Sequence, residues 1–406
     1  MLALWGPGDG SGDVRGRRVA VTGVGVVAPC GVGAEAFWAG LFGPQPDGTE
    51  RRVPDFDATA IYGPKDIRRV DRFTQFAAVA AAEAVADAGG DDLVRGDPDR
   101  AGVIIGTGVG GLSSMEEQHD VLRAKGARRV SPFLVPMMMG NRGAADVSMR
   151  YGLRGPCETT VTACAAGTHS IGNGARLVAS GRCDVVLAGS AEASITELGV
   201  AGFANMTALS TSGRSMPFDA DRDGFVIGEG GAVLVLEDYD RAVARGARIY
   251  CELAGAANTA DAHHITAPAP DGSGAVLCMQ LALRDAGVEA AAVTHVNAHG
   301  TSTPLNDASE AQAVAKVFGT PGPAVSSIKG ITGHSLGAAG SIEAAALALT
   351  FAHRRIPPTA GLTTLDPEVH IDVVTGSGRD WDPAPALSNS FGFGGHNGTL
   401  VMVPAS

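Results

Sequence analysis

One thiol and two histidines stand out by the company they keep. Cys164 lies in Val161-Thr162-Ala163-Cys164-Ala165-Ala166-Gly167, where small residues leave room for a substrate beside the sulfur. His299 lies in Asn297-Ala298-His299-Gly300-Thr301-Ser302-Thr303-Pro304, and His334 in Lys329-Gly330-Ile331-Thr332-Gly333-His334-Ser335. A cysteine served by two imidazoles is the equipment of covalent acyl transfer. The thiolate attacks, while the histidines act as base and as hydrogen-bond donors to an enolate or a tetrahedral oxyanion. The other cysteines, Cys30, Cys157, Cys183, Cys251 and Cys278, read as small buried hydrophobes.

The neighbours of this trio indicate how it is held. Residues 167–180 alternate small and apolar positions at helical spacing, so Cys164 is predicted at or just inside the start of a core helix. The positive dipole end there lowers a thiol pKa. His299 and His334 are each followed by Gly or Ser and fall at predicted strand ends, where loops carry function. His295 reads instead as a hydrogen-bonded structural histidine. Lys329 stands five positions before His334 and Glu343 nine after it, and a partly buried ion pair between them would brace the loop. Glu310 and Asp307 are further polar support. The turn Gly392-Phe393-Gly394-Gly395 can offer a backbone N–H to an oxyanion, with Phe393 filling or gating a channel. Such a donor is worth ~10²–10³ in rate.

Two rival readings are weaker. Gly106-Thr107-Gly108-Val109-Gly110-Gly111 matches a dinucleotide-binding pattern after a predicted strand, but the acidic residue required about twenty positions on is missing, and position 126 is Gly. A turn where backbone nears a pocket is the plainer reading. A zinc site would draw on the same cysteine and histidines, yet no short ligand spacing supports it.

The elements that must position these groups alternate. Strands are predicted at 18–27, 101–107, 184–189, 231–237, 250–257, 293–298, 324–328 and 385–403, and helices at 34–42, 72–88, 113–124, 141–150, 167–180, 273–286, 306–318 and 335–353. Such alternation implies α/β layers. The Pro/Gly-rich segment 258–274 marks a boundary between a half at 17–257, carrying the nucleophile, and a half at 258–406, carrying both histidines. A flexible N-terminal extension over 1–16 precedes them. With 45% hydrophobic residues, 18% charged and 57 glycines, the chain favours a large core with tight turns over a helical bundle.

A net charge of −12 disfavours nucleic acid as a partner. An acidic partner needs a local basic patch, for which Lys65, Arg68, Arg69 and Arg72, with Arg128 and Arg129, are candidates. Six cysteines without a Cys-x-x-Cys pair argue against a disulfide scaffold or zinc ribbon. With no signal-peptide pattern and no uninterrupted apolar run of roughly eighteen residues, a cytoplasmic protein without membrane contact is expected.

Four motifs then fall into place together. Thr-Ala-Cys-Ala-Ala-Gly, Asn-Ala-His-Gly-Thr-Ser-Thr-Pro, Lys-Gly-Ile-Thr-Gly-His-Ser-Leu-Gly-Ala-Ala-Gly and Asn-Ser-Phe-Gly-Phe-Gly-Gly-His-Asn resemble the β-ketoacyl-acyl-carrier-protein synthases. The likeness is greatest to the elongating type II class and to ketosynthase subunits of bacterial type II polyketide systems, and spans about residues 17–404. It implies a thiolase-like fold, two duplicated βαβαβαββ halves stacked as α-β-α-β-α layers. It also implies a dimer, either a homodimer or a heterodimer with a chain-length-factor-like subunit. No cofactor is implied beyond the phosphopantetheine of acyl carrier protein, which carries the substrates.

By that resemblance Cys164 takes an acyl chain, a malonyl thioester loses carbon dioxide, and the enolate attacks the acyl-Cys164 thioester. His299 and His334 stabilise the enolate, and Lys329 with Glu343 orders that site. The backbone N–H groups of Cys164 and Phe393 form the oxyanion hole. Thr301 and Thr303 meet the pantetheine arm, Phe203 contacts substrate, and Val109 lies at the floor of the acyl pocket. Phe133 and Met137-Met138-Met139 match a dimer-side wall, while Lys65, Arg68 and Arg69 match the docking surface for the acidic carrier. A family arginine in the stretch after Phe203 is Thr207 here. The filled nucleophile position separates the chain from chain-length factors, and the second histidine with Lys329 separates it from initiating synthases and thiolases. A fatty-acid-like or polyene-forming role is implied in a high-GC bacterium; the alternative is a non-catalytic assembly subunit that binds carrier protein and shapes a partner's pocket.

Overall fold

A computed structural model describes residues 16–406. The first half contributes strands β1 (Val19–Ala28), β2 (Ala101–Gly106), β3 (Cys157–Glu158), β4 (Val185–Glu192) and β5 (Gly230–Asp238). The second contributes β6 (Cys251–Ala260), β7 (His295–Asn297), β8 (Ala324–Ser326), β9 (Ala386–Gly392) and β10 (His396–Val403). Their neighbour orders are β3-β2-β4-β5-β1 and β8-β7-β9-β10-β6, the same permutation twice. In each half the first three strands of that order run parallel and the remaining pairs antiparallel.

Helices fall at matching intervals. They are α1 (Arg72–Asp87), α2 (Arg142–Tyr151) and α3 (Ala166–Ala179), then α4 (Ser273–Ala286), α5 (Pro304–Phe318) and α6 (Ala339–His353). Each half therefore reads βαβαβαββ, and the duplication implied by the motifs is present. The two sheets join where β1 and β6 pair antiparallel, at Ala20↔Glu252 and Val21↔Cys251.

Three cores separate the layers. Phe73, Phe76 and Val147 of α1 and α2 pack on Val103 and Val233 of the first sheet. Met279, Leu283 and Val314 of α4 and α5 pack on Val296 and Leu387 of the second. Between the sheets lies a core drawn from both halves, with Val24, Ile171, Ile342, Leu347 and Leu400. The order is thus α-β-α-β-α, with α3 and α6 in the middle. Strands covered on both faces read as continuous apolar runs, which is why β1, β4 and β5 are buried almost throughout. Ala-rich α1 lies close on β1 because Gly25 has no side chain: a Cβ there would sit 1.9 Å from the Ala80 carbonyl oxygen.

Several boundaries differ from the sequence-based expectation. The strand predicted over 385–403 is the β9–β10 hairpin, folded at Gly394 (φ 85°) and Gly395 (φ 72°), since an apolar run continues on both sides of the turn. The helix predicted from 335 begins as a 3₁₀ turn, Leu336–Ala338, and becomes α only at Ala339. The boundary placed at 257/258 falls inside β6, which runs on to Ala260 because β10 supplies a partner along its length. Cys157 is exposed and Cys30 only half-buried, not core, since Cys157 sits on the two-residue strand β3 at the sheet edge. The extension expected over 1–16 lies, apart from Gly16, outside the described residues. Leu336–His353 is long and apolar enough to cross a membrane, with mean hydropathy 1.2, but 89% of it is buried inside the fold as the central helix.

Candidate active site

Cys164, the candidate nucleophile, sits on a strained elbow. After β3 the chain turns at Ala163, a non-glycine residue at φ 49°, makes a 3₁₀ turn over Ala163–Ala165 and enters α3. Such a conformation costs of order 1–3 kcal/mol and persists only where the surroundings enforce it. Here the enforcement is a helix crossing. A Cβ on Gly167 would lie 2.5 Å from the Ser341 nitrogen, and one on Gly340 would lie 2.7 Å from the Thr168 nitrogen. The starts of α3 and α6 therefore meet backbone to backbone, which explains the small residues around Cys164 and after His334. That contact sets Cys164 Sγ 3.1 Å from His334 Nε2.

Each histidine is fixed by its main chain. His334 forms an isolated β-bridge with Ile227: its N–H donates to the Val226 carbonyl at 2.7 Å and its carbonyl accepts from Gly228 N–H at 2.9 Å. Its ring stands edge-on to Phe225, centroids 5.2 Å apart. His299 follows β7, and its loop is capped by two carboxylates from the start of α5. Glu310 accepts the N–H groups of His299 and Gly300 at 2.8 and 2.7 Å, and Asp307 those of Thr301 and Ser302 at 2.9 and 3.1 Å. The rings of His299 and His334 are 5.3 Å apart and nearly perpendicular, at 85°. Lys329 Nζ donates to the His299 carbonyl at 2.5 Å, lies 3.4 Å from His299 Nδ1 and pairs with Glu343. That ion pair is buried, its side chains 1% and 2% exposed, where only partial burial was anticipated.

Burial decides the protonation states. It pushes the Cys164 thiol up to about 11, opposed by the Phe393 N–H and the positive charge of Lys329. The lowering anticipated from the helix start is thus outweighed by desolvation, which penalises the thiolate. The resting sulfur keeps its proton, with His334 Nε2 placed to receive it. Burial, followed by Lys329, holds both His299 and His334 well below the usual histidine range. They are neutral imidazoles rather than cations, each with one ring nitrogen to donate and one to accept. Glu343 and Glu310 are pushed up to about 7 by burial.

The trio opens into a cavity of about 420 Å³, which Thr301, Thr303, Phe203, Val109 and Phe393 also line. The Thr301 and Thr303 hydroxyls are 2.9 Å apart. Gly108 and Val109 reach this cavity, so the glycine-rich run at 106–111 is a turn against a pocket. Phe133 is not brought there: it lies on the outside, 38% exposed, with the Arg69 guanidinium 4.6 Å from its ring centroid. Lys65, Arg68 and Arg69 are all exposed, whereas Arg72 is committed to Glu229 at 2.6 Å. Among the described residues no three His, Cys, Asp or Glu side chains form a metal-binding group.

Sequence reasoning overlooked several residues. Phe391 lies 6.0 Å from the His299 ring, and Asp261 with Thr266–Pro268 forms part of the cavity wall. Glu192 ends β4 fully buried, accepting from Gly108 N–H at 2.6 Å, Ser194 hydroxyl at 2.7 Å and Gly337 N–H at 3.3 Å. A carboxylate closing an eight-residue apolar strand was the available signal.

The family model of the β-ketoacyl synthase N-terminal domain matches residues 45–242, and that of the C-terminal domain residues 250–363. The chain is 45% identical to the 3-oxoacyl-[acyl-carrier-protein] synthase 2 of Synechocystis sp. over 95% of this chain and 98% of that relative. To the protein of the same name from Staphylococcus aureus (strain COL) it is 44% identical, over 96% and 98%. Among solved structures, the ishigamide ketosynthase/chain length factor superposes with TM-score 0.91 at 33% identity, over 96% of this chain and all of that one. A type II polyketide ketosynthase solved with its acyl-carrier protein superposes with TM-score 0.88 at 33% identity, with the same coverage.

Proposed function

The chain belongs to the β-ketoacyl synthase family, and from that premise we propose that Cys164, His299 and His334 carry out a two-stage decarboxylative Claisen condensation. The protein is a carbon–carbon bond-forming acyltransferase, a 3-oxoacyl-acyl-carrier-protein synthase of type II fatty acid or polyketide assembly. In the first stage the Cys164 sulfur attacks the thioester carbonyl of an acyl chain carried on pantetheine. The thiol proton passes to His334 Nε2 and on to the departing pantetheine sulfur. The tetrahedral oxyanion faces the N–H groups of Cys164 and Phe393. In the second stage malonyl-carrier loses carbon dioxide, the pair of electrons from the broken bond forms an enolate, and its oxygen accepts the Nε2–H bonds of His299 and of His334, whose hydrogen has moved from Nδ1 to Nε2 by tautomerisation. The enolate carbon attacks the acyl-Cys164 carbonyl and expels the sulfur, releasing a β-ketoacyl-carrier product.

One observation carries this reading: a thiol 3.1 Å from one of two adjacent imidazoles that burial and Lys329 keep neutral. A neutral imidazole N–H, preorganised in a dry site, stabilises the enolate oxygen without reorganisation. Lys329 and Glu343 hold His299, and Asp307 and Glu310 hold its loop. Thr301 and Thr303 take the pantetheine arm, with Phe203 and Val109 along the acyl path. Lys65, Arg68 and Arg69 supply the docking surface for the acidic carrier.

A second subunit covers the exposed apolar face of Val109, Phe133, Val135, Met138, Met139 and Val161, as homodimer or as heterodimer with a chain-length-factor-like chain. Solved neighbours are ketosynthases with chain length factors and with an acyl-carrier protein. The reaction takes place in the cytoplasm and draws on no cofactor beyond the carrier's pantetheine. The complete trio speaks against a non-elongating assembly subunit. Incubation with acyl-carrier donors of graded length, read by intact mass, should give an acyl adduct on the wild type and none on Cys164→Ala. The preferred length separates fatty-acid from polyketide use. No adduct from any donor, with or without a chain-length-factor partner, would overturn the reading.

A further inference from the structure

The two oxyanion donors come from different halves. The Cys164 N–H belongs to the elbow before α3, and the Phe393 N–H to the hairpin between β9 and β10. Neither element alone fixes the gap between them. His169, in the first turn of α3, is 4% exposed and plays no part in the steps above. Its Nδ1 lies 2.9 Å from Thr162 Oγ1, two residues before the nucleophile, and its Nε2 lies 3.0 Å from the Asn397 carbonyl oxygen at the start of β10. A carbonyl only accepts, so Nε2 carries the hydrogen and Nδ1 accepts from the Thr162 hydroxyl.

The ring has a fitted seat. A Cβ on Gly398 would lie 2.9 Å from its Cδ2 and 3.0 Å from its Nε2, so glycine there makes room for the imidazole. Thr162 immediately precedes Ala163, the strained residue of the elbow. A second rung joins the same elements, Thr168 Oγ1 to Ser390 Oγ at 2.7 Å.

We propose that His169 is a positioning residue that sets the width of the oxyanion hole by tying the nucleophile elbow to the hairpin bearing Phe393. This rests on the condensation reading and separates its two stages. The acyl oxyanion lies between the Cys164 and Phe393 N–H groups, whereas the malonyl enolate lies on His299 and His334. A loosened hole therefore slows acylation more than decarboxylation.

The test measures both half-reactions: acyl adduct formation on Cys164 from acyl-carrier, and carbon dioxide release from malonyl-carrier. His169→Ala should slow acylation about 100-fold, the worth of a misplaced oxyanion donor. Carbon dioxide release should fall by less than about ten-fold. His169→Gln, which can still aim an amide N–H at the Asn397 carbonyl, should restore acylation to within about ten-fold of wild type. Gly398→Ala keeps the imidazole but displaces it, and should reproduce the acylation defect; it carries the test if His169→Ala does not fold. Equal losses in both half-reactions, or acylation within about two-fold of wild type in His169→Ala, would overturn the assignment. A wild type that forms no adduct and releases no carbon dioxide would instead refute the condensation reading itself.

Discussion

Lys329 adds to burial in keeping its histidine neighbours neutral. Its ammonium is buried beside Glu343 and 3.4 Å from His299 Nδ1, and its charge disfavours an imidazolium at His299 and at His334. Replacing it as Lys329→Met removes that repulsion, so both histidine pKa values rise, while burial still holds them below the ordinary value. A protonated His334 cannot take the Cys164 proton, so the acid limb of the acylation rate profile should move to higher pH. Acyl adduct formation on Cys164 should fall more at about pH 6 than at about pH 8, measured as a pH series on wild type and variant. An acid limb at unchanged pH would show that Lys329 acts on position alone. At this scale the cluster was legible: the structure brings together Cys164, His299, His334 and Lys329, marked by small or glycine-rich surroundings, with Glu343, marked by its spacing from His334. The direction of the Cys164 shift was not, because a dipole argument cannot see complete desolvation. Glu192 and His169 went unread for the same reason, since sequence gives a residue's type but not its burial.

Helices α3 and α6 place the chemistry by touching. Their first turns cross at Gly167 and Gly340 with no side chain between them, and both catalytic groups lie within a few residues of that contact. Gly167→Ala should force the helices apart, costing about 1–3 kcal/mol by overpacking and ~10²-fold in kcat through misplacement of Cys164 from His334. Denaturant titration and steady-state kinetics measure the two effects. Full activity with normal stability would mean that the crossing tolerates a methyl group. Long, doubly covered strands such as β1 and β5 were readable from their apolar runs, and Ala-rich α1 from its length. Strand β3 was not, because its two residues owe their conformation to pairing with β2 at Val103↔Cys157 and Ile104↔Glu158 rather than to any local pattern.

The two halves repeat one topology yet share a single middle layer. Val24 and Ile171 from the first pack in the same core as Ile342, Leu347 and Leu400 from the second, and β1 pairs with β6 across the seam. Calorimetry should accordingly show one cooperative transition, with calorimetric and van't Hoff enthalpies equal; two resolved transitions would show the halves melting separately. The similar order of strands and helices in each half hinted at the repeat, but its topology was legible only through family motifs, because strand order is invisible to composition and periodicity. Its placement of the chemistry has a consequence of its own. Cys164 precedes the helix after the third strand of one half, and His334 precedes the helix after the third strand of the other. Two rulers of equal spacing laid edge to edge reveal a slip that neither ruler shows alone. The condensation rate reads the registry of the halves in that way, like a vernier, and registers strain in the shared layer well before the fold gives way.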